Sequence, residues 1–210
     1  MRQLQDACPI EEGDSVVLVS TGAAESRMLS DLPYLETVKV EKSFSGLVTV
    51  TCTESDDFAA IAYESGFAVI NPSLKIIDIV NKVPKNCTVI YGQKTTSGRP
   101  GQKLKMAEEN DNSVQLEELL TGLFEAGLGG KISAINIKDK LNITILYEKR
   151  ILIQFGTINN SDYKIQMLCE VCGNQLSAED EGVLDVATTG KAIFSPRDID
   201  ELVQEMKTKP

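Results

Sequence analysis

The chain has 210 residues, enough for one or two domains, and its 42% hydrophobic and 25% charged residues are typical of a globular protein. Lysine and arginine number 21 against 31 aspartates and glutamates, giving a formal net charge of −10. This charge disfavours binding to nucleic acid phosphates and suits a basic protein partner. The absence of histidine excludes Ser-His-Asp and Cys-His catalysis and histidine-ligated zinc. Composition therefore indicates binding rather than catalysis.

The N-terminal region shows no targeting signal. No stretch approaches the roughly 18 consecutive apolar residues of a membrane span. Met1 is followed by a polar run over residues 2–6, without the apolar core of a signal peptide. We therefore expect either a cytosolic protein or an extracytoplasmic region separated from its anchor.

The cysteines form an odd, scattered set that does not indicate a disulfide framework. They are Cys8, Cys52, Cys87, Cys169 and Cys172. The C-x-x-C pair at 169–172 fits a redox pair or half of a zinc site, but a second pair at ligand spacing and a βαβ context are absent. At helical spacing both cysteines share a face with Ile165 and Leu168, which predicts buried helix cysteines.

The first third of the chain predicts a helix followed by a hairpin. Residues 1–15 look like the end of a helix and a turn, and an apolar run covers residues 16–19. Ser20 is a candidate cap for a helix over residues 23–31. Alternating residues 35–42 and 47–53, joined by a turn at Ser45-Gly46, predict two antiparallel strands.

The middle of the chain predicts three further strands and a connection. The strands cover residues 58–63, 66–70 and 74–79, with a turn at Asn71-Pro72-Ser73. Residues 92–112 are polar with few apolar anchors, so they are predicted to form a long mobile loop. Within this loop, Glu108, Glu109 and Asp111 lack the spacing of a calcium loop and are predicted to be solvated.

The last part predicts two helices around a three-stranded meander. Ser113 would cap a helix with an apolar leucine face that ends at Gly129-Gly130. Alternating segments over 135–137, 141–147 and 151–155 predict the meander, and a helix over about 161–172 packs on it.

A final hairpin and helix complete the prediction. The hairpin joins 182–188 to 191–195 through Thr189-Gly190, and Ser195-Pro196 would start an amphipathic helix. The apolar residues of this helix are Ile199, Leu202, Val203 and Met206. The predicted fold class is α+β with a mostly antiparallel sheet.

Several segments resemble a known family in their order and spacing. Gly13-Asp14 before an apolar run, then Leu32-Pro33-Tyr34 leading into the alternating strand, then Thr53-Glu54, resemble the POTRA domain of FtsQ/DivIB-type cell-division proteins. Later segments are similar to the β domain of that family, and they cover residues 66–71, 151–156, 182–186 and 190–196.

The resemblance implies a domain organisation. Residues 1–56 would form a small helix–hairpin POTRA-like domain without its first strand, and 57–196 a larger, mostly antiparallel β domain with packed helices. Residues 197–210 would form a C-terminal amphipathic helix and tail. The family's cytoplasmic tail and single transmembrane helix are missing from this sequence. The implied location is the cell membrane, single-pass, with this region extracytoplasmic and contacting the membrane only through that absent helix.

The resemblance also implies a function. Such proteins are non-enzymatic scaffolds of the bacterial divisome, which bind bitopic coiled-coil proteins of the FtsB/DivIC and FtsL types and help control septal peptidoglycan synthesis. No catalytic residue, metal, cofactor or nucleic acid is expected. A last strand at a sheet edge can accept a partner strand. The expected partner-binding residues are Thr188, Thr189, Gly190, Lys191, Ala192, Ile193, Phe194 and Ser195.

Within this predicted strand, Ala192 would permit close backbone approach, Phe194 would anchor an apolar contact and Lys191 an acidic one. Alternatively, these are ordinary strand residues, with Ile193 in the core and Lys191 solvated. Two other functions stay open: a POTRA-type chaperone of unfolded or secreted segments, and an enzyme using the cysteine pair or carboxylates on a peptidoglycan-related substrate.

Overall fold

The computed structural model describes residues 4, 7–11, 13–15, 18–43, 45–54, 59–64, 66–85, 87–96, 98–108, 111–188 and 190–208. Some predictions fall partly or wholly outside these residues: residues 1–3, 5, 6 and 12 of the segment 1–15, the first half of the apolar run 16–19, and Phe58, Glu109 and Thr189.

A helix and a two-stranded sheet form the N-terminal unit, as predicted. Helix α1 (Thr21–Asp31) begins after Ser20, whose Oγ accepts a hydrogen bond from the Ala23 N–H at 3.4 Å. Strands β1 (Leu35–Lys42) and β2 (Val48–Glu54) pair antiparallel. The helix packs its apolar face on β1, forming a small core of Ala24, Met28, Leu32, Leu35, Val38 and Val40.

The rest of the chain builds one mixed sheet of nine strands in the described residues. Its order is β11-β10-β9-β8-β7-β6-β3-β4-β5. Most pairs are antiparallel, whereas β3–β6, β6–β7 and β9–β10 are parallel. The α+β class is therefore confirmed. The strands are β3 (Ala59–Tyr63), β4 (Gly66–Ile70), β5 (Ile76–Val80), β6 (Thr88–Tyr91), β7 (Ile132–Asn136), β8 (Ile143–Tyr147), β9 (Ile151–Gly156), β10 (Gly182–Asp185) and β11 (Ile193–Pro196).

Strand β6 has no counterpart in the sequence prediction. It has only four residues, yet it pairs in parallel with both β3 and β7 and so joins the two halves of the sheet. Thr88 at its start is fully buried, and its hydroxyl donates to the Ile132 carbonyl oxygen at 2.9 Å. A run this short, with polar residues before it, carries too little periodicity to predict.

Helices cover both faces of the sheet. Helices α2 (Ser113–Glu125) and α3 (Ser161–Glu170) pack on one face of the sheet, and the apolar cluster between them and that face is the main core. Helix α3 continues into a π-helical turn, Val171–Gln175. Helix α4 (Asp200–Thr208) covers the opposite face. It packs on a smaller cluster whose members are Ala134, Leu146, Leu152, Val183, Ile199, Val203 and Met206.

Helix α2 starts and ends close to the predicted positions. Its cap is Asn112 rather than Ser113, and its last residue is Glu125. The chain leaves the helix at Gly127, whose φ of 72° favours glycine, and not at Gly129-Gly130.

The predicted start of the last helix is wrong. Ser195 and Pro196 belong to β11, where they pair with Val183 and Gly182, and α4 begins at Asp200. The proline fits because an edge strand can place a residue without an N–H on its unpaired side.

The described residues of 92–112 form the predicted long connection, which runs from β6 to α2, but the expectation that it is poorly anchored is wrong. We call residues 94–107 the basic hairpin. Its described residues, 94–96 and 98–107, fold back on themselves, since the Thr96 N–H donates to the Lys105 carbonyl at 2.9 Å. Leu104 and Met106 are buried in the main core. These two apolar residues, spaced two apart, were the available signal for an extended, one-sided segment.

Candidate protein-interaction edge

The large sheet ends in two edge strands that differ in their surroundings. At one end, the basic hairpin donates and accepts backbone hydrogen bonds at Ile76 of β5. At the other end, β11 pairs with β10 alone among the residues that the structure describes. The edge of β11 is therefore the less protected of the two, in agreement with the predicted edge position of the last strand.

The backbone of β11 presents polar groups to this edge. The N–H groups of Gly182 and Val186 donate to the carbonyls of Arg150, just before β9, and Gln154, within β9. The backbone N–H and carbonyl groups of the even-numbered residues along β10 therefore point towards β9 and away from β11. Val183 and Asp185 therefore bond to their partners Ser195 and Ile193. Phe194, which lies between those two, directs its N–H and carbonyl outward, where an added strand can bond to them.

The side chains of β11 alternate between the two sheet faces. Phe194 lies opposite Leu184 and packs half-buried against the main core. Ile193 faces the side of the sheet that carries α4 and is 57% exposed. The alternative expectation that Ile193 lies in the core is therefore wrong, because α4 does not extend over this strand.

Gly182 allows β11 to lie close to β10. A Cβ at this position would collide with the Ser195 carbonyl oxygen and would stand 2.9 Å from the Phe194 ring. The missing side chain thus sets the position of Phe194, whose ring covers the glycine.

An apolar groove runs beside the edge. It has a volume of about 530 Å³ and lies between β11 and the end of α3. Ala192 and Phe194 form one wall. The other lining residues are Met167, Glu170, Val171, Gln175, Leu176 and Leu184. An added strand would bond to the polar backbone edge and place alternate side chains in this groove. The edge and the apolar groove together therefore suit a peptide ligand.

The structure places the predicted binding residues in two groups. Ala192, Ile193, Phe194 and Ser195 lie at or next to the free edge, and only Ala192 and Phe194 line the groove. Thr188, Gly190 and Lys191 are exposed in a connection longer than the predicted tight turn, and Thr189 lies outside the described residues.

The predicted binding residues do not include the six other residues of the groove, among them two half-buried apolar side chains. Met167 and Leu176 are half-buried and come from α3 and the segment after the π-helical turn. Met167 stood on the predicted helix 161–172, but only tertiary contact brings it beside β11.

Helix α4 leaves the edge of β11 open. The Ile199 N–H donates to Glu181 Oε1 at 3.1 Å, and Met206 near the other end accepts a hydrogen bond from Asn136 Nδ2 at 2.6 Å. The helix therefore crosses from β10 towards β7, away from β11. A partner strand can add to the edge without displacing α4.

The cysteine pair lacks the features of a reactive dithiol. Cys172 is buried as predicted, whereas Cys169 is only half-buried, so the prediction of two buried cysteines holds for one of them. Burial raises the pKa of the Cys172 thiol from 9.0 to about 11, which opposes formation of the nucleophilic thiolate.

A wider cavity, of about 960 Å³, lies beneath the end of α4. Its lining mixes cations such as Lys138 and Lys140 with carboxylates such as Asp139 and Glu205. Within the described part of the chain, histidine, cysteine, aspartate and glutamate side chains form no group that could hold a metal ion. This cavity therefore presents no single chemical preference.

None of the helices in the described ranges is both long and apolar enough to span a bilayer. No protein-family model matches the chain, and a search of curated proteins also finds no match.

Proposed function

We propose that this chain is the extracytoplasmic region of an FtsQ/DivIB-type division protein. It acts as a non-enzymatic scaffold that binds FtsB/DivIC-type and FtsL-type proteins and thereby helps control septal peptidoglycan synthesis. A transmembrane helix outside this sequence would anchor it in the cell membrane.

The observation that carries the proposal is the open edge of β11 beside an apolar groove. Phe194 offers its backbone N–H and carbonyl to a partner strand, and Ala192 and Phe194 provide one apolar wall. The order of the family-like segments supports the choice of partner. The net charge of −10 supports a protein partner over nucleic acid.

The test measures binding to the extracytoplasmic C-terminal segment of an FtsB/DivIC-type protein. Ala192 directly precedes β11, and continuing the alternation of β11 by one residue would place its N–H on the same side as that of Phe194, so Ala192→Pro is expected to remove a donor from the free edge. We expect micromolar or tighter binding by the wild type and at least about a tenfold loss in the variant. Circular dichroism verifies that the variant folds.

Lys140→Pro is the matched control. Lys140 is the second residue of a turn that is closed by a 3.0 Å hydrogen bond from the Asn142 N–H to the Asp139 carbonyl. Proline suits that position, so binding should not change. Hydrogen exchange gives a second readout: the Phe194 amide should slow on binding, while the Ser195 amide, already bonded to β10, should not.

Binding that tolerates Ala192→Pro and leaves the Phe194 amide unprotected would contradict strand addition here. Absence of any binding would contradict the scaffold proposal, and capture of unfolded segments would then favour the chaperone alternative.

A further inference from the structure

The basic hairpin is a local reversal of charge in an acidic protein. Residues 94–107 carry four cations and no carboxylate, whereas the whole chain has 21 cations and 31 anions. The cations are Lys94, Arg99, Lys103 and Lys105. All four side chains are exposed. Charges are screened over about 8 Å at physiological salt. A small ligand at the hairpin therefore meets the electrostatic potential of these local cations rather than that of the net charge of the chain.

The hairpin holds these cations on an ordered backbone. The Gln102 N–H donates to the Arg99 carbonyl at 3.0 Å, closing a turn in which Pro100 and Gly101, at φ 88°, take the positions that a type II turn favours. The Tyr63 hydroxyl donates to the Gly98 carbonyl at 2.8 Å and accepts from its N–H at 2.7 Å.

The far arm of the hairpin is fixed by the core. Leu104 and Met106 are buried, so Lys103 and Lys105 on either side of Leu104 are turned outward. A ligand would therefore meet cations whose backbone needs little ordering on binding.

The cations surround a concave surface. Gly98, Arg99, Gln102, Lys103 and Lys105 line a cleft of about 440 Å³, and none of these lining residues is acidic. At the rim, Lys103 Nζ contacts Glu117 Oε2 at 2.6 Å, whereas the two other cations of the cleft, Arg99 and Lys105, form no salt bridge with the described residues.

We propose that this cleft binds an acidic peptide segment of a partner protein. A narrow chain bearing carboxylates fits the concave shape and the charge of the lining. A flat anionic membrane would also face the acidic remainder of the molecule, so the surrounding charge disfavours it. This contact is separate from the β11 edge and does not depend on the strand-addition proposal.

The probe is a short, labelled peptide of alternating glutamate and glycine, with glutamine in place of glutamate as the neutral probe. We expect the glutamate peptide to bind at low salt, with affinity falling as salt rises, and the glutamine peptide to bind at least about fivefold more weakly. The double variant Arg99→Ala, Lys105→Ala should weaken binding by about three- to tenfold.

The control is Lys82→Ala, Lys85→Ala, which removes two exposed cations outside the cleft and should leave binding unchanged. Equal losses in both double variants, or no binding of the glutamate peptide, would overturn the proposal. The proposal would also be overturned if the chain bound phosphatidylglycerol vesicles through Arg99 and Lys105 but did not bind the glutamate peptide. Unchanged FtsB/DivIC-type binding by the cleft variant would separate this site from the strand edge.

Discussion

At the residue scale, two buried groups show what burial does to charge. Lys164 on α3 is only 1% exposed, yet its Nζ donates to the Phe155 carbonyl at 2.9 Å and the Thr157 carbonyl at 2.7 Å. Burial lowers the pKa of this lysine and raises that of Cys172, because both environments disfavour the charged form. The helical pattern predicted a buried Cys172, but it could not predict a buried lysine, because its two acceptors, at the end of β9 and just after it, are backbone carbonyls that no side-chain pattern reveals.

Cys172 predicts a specific loss of stability in alkaline solution. Its folded pKa of about 11 exceeds the ordinary value of 9.0, so above pH 9 the unfolded chain loses this proton first. The free energy of unfolding of the wild type should therefore fall relative to that of Cys172→Ala between about pH 9 and 11, by up to about 3 kcal/mol. Urea denaturation of both proteins at several pH values measures this difference. Parallel pH profiles would contradict the buried, neutral thiol.

At the element scale, local pattern and long-range pairing contribute differently. The hairpin of β1 and β2 and the meander of β7 to β9 were predicted because alternation and turn residues lie within short segments. The joining strand β6 was missed, and the start of α4 was wrong, because both depend on pairing with distant residues. Ser195-Pro196 suits a helix start locally, yet pairing with β10 makes it strand.

The close contact between β10 and β11 gives the second stability prediction. Gly182→Ala should lower the free energy of unfolding by about 1–3 kcal/mol, because its methyl group meets the Ser195 carbonyl and the Phe194 ring. It should also weaken the proposed partner binding by displacing β11. Denaturant titration measures the first effect.

Gly173→Ala provides the control for that substitution. Gly173 lies in the π-helical turn, and a Cβ there meets nothing within 4 Å. Equal stability of the two alanine variants would show that β11 does not rely on the space left by Gly182.

At the scale of the whole molecule, polar contacts join the N-terminal unit to the large sheet. Lys75 Nζ donates to the Leu29 carbonyl at the end of α1, at 2.8 Å, and Asn71 Nδ2 donates to Glu36 Oε2 at 2.9 Å. Asn71 Oδ1 also accepts the Lys75 N–H at 2.8 Å, which connects the two contacts. Burial lowers the pKa of Lys75.

Lys75→Met should loosen this junction. The change keeps most of the side-chain volume but removes the donor to α1, at a cost of about 1–3 kcal/mol. We expect NMR relaxation to show more independent tumbling of the N-terminal unit, with chemical shifts inside each sheet preserved. Lys85→Met, at an exposed site, is the control. Unchanged relaxation in the Lys75 variant would show that other contacts fix the junction.

By itself, the sequence determined the α+β class, most strands, the helix faces and the position of the last strand in the chain. These properties follow from repeats of two and about 3.6 residues and from nearby turn residues. Only the tertiary structure decided that β6 lies between β3 and β7, that α4 crosses away from β11, and that Met167 and Leu176 meet Phe194 in one groove. The same holds for the basic hairpin, whose order comes from Tyr63 and the core. The physical reason is that such contacts join residues far apart in the chain, so their stability depends on packing and shared burial that no local pattern contains.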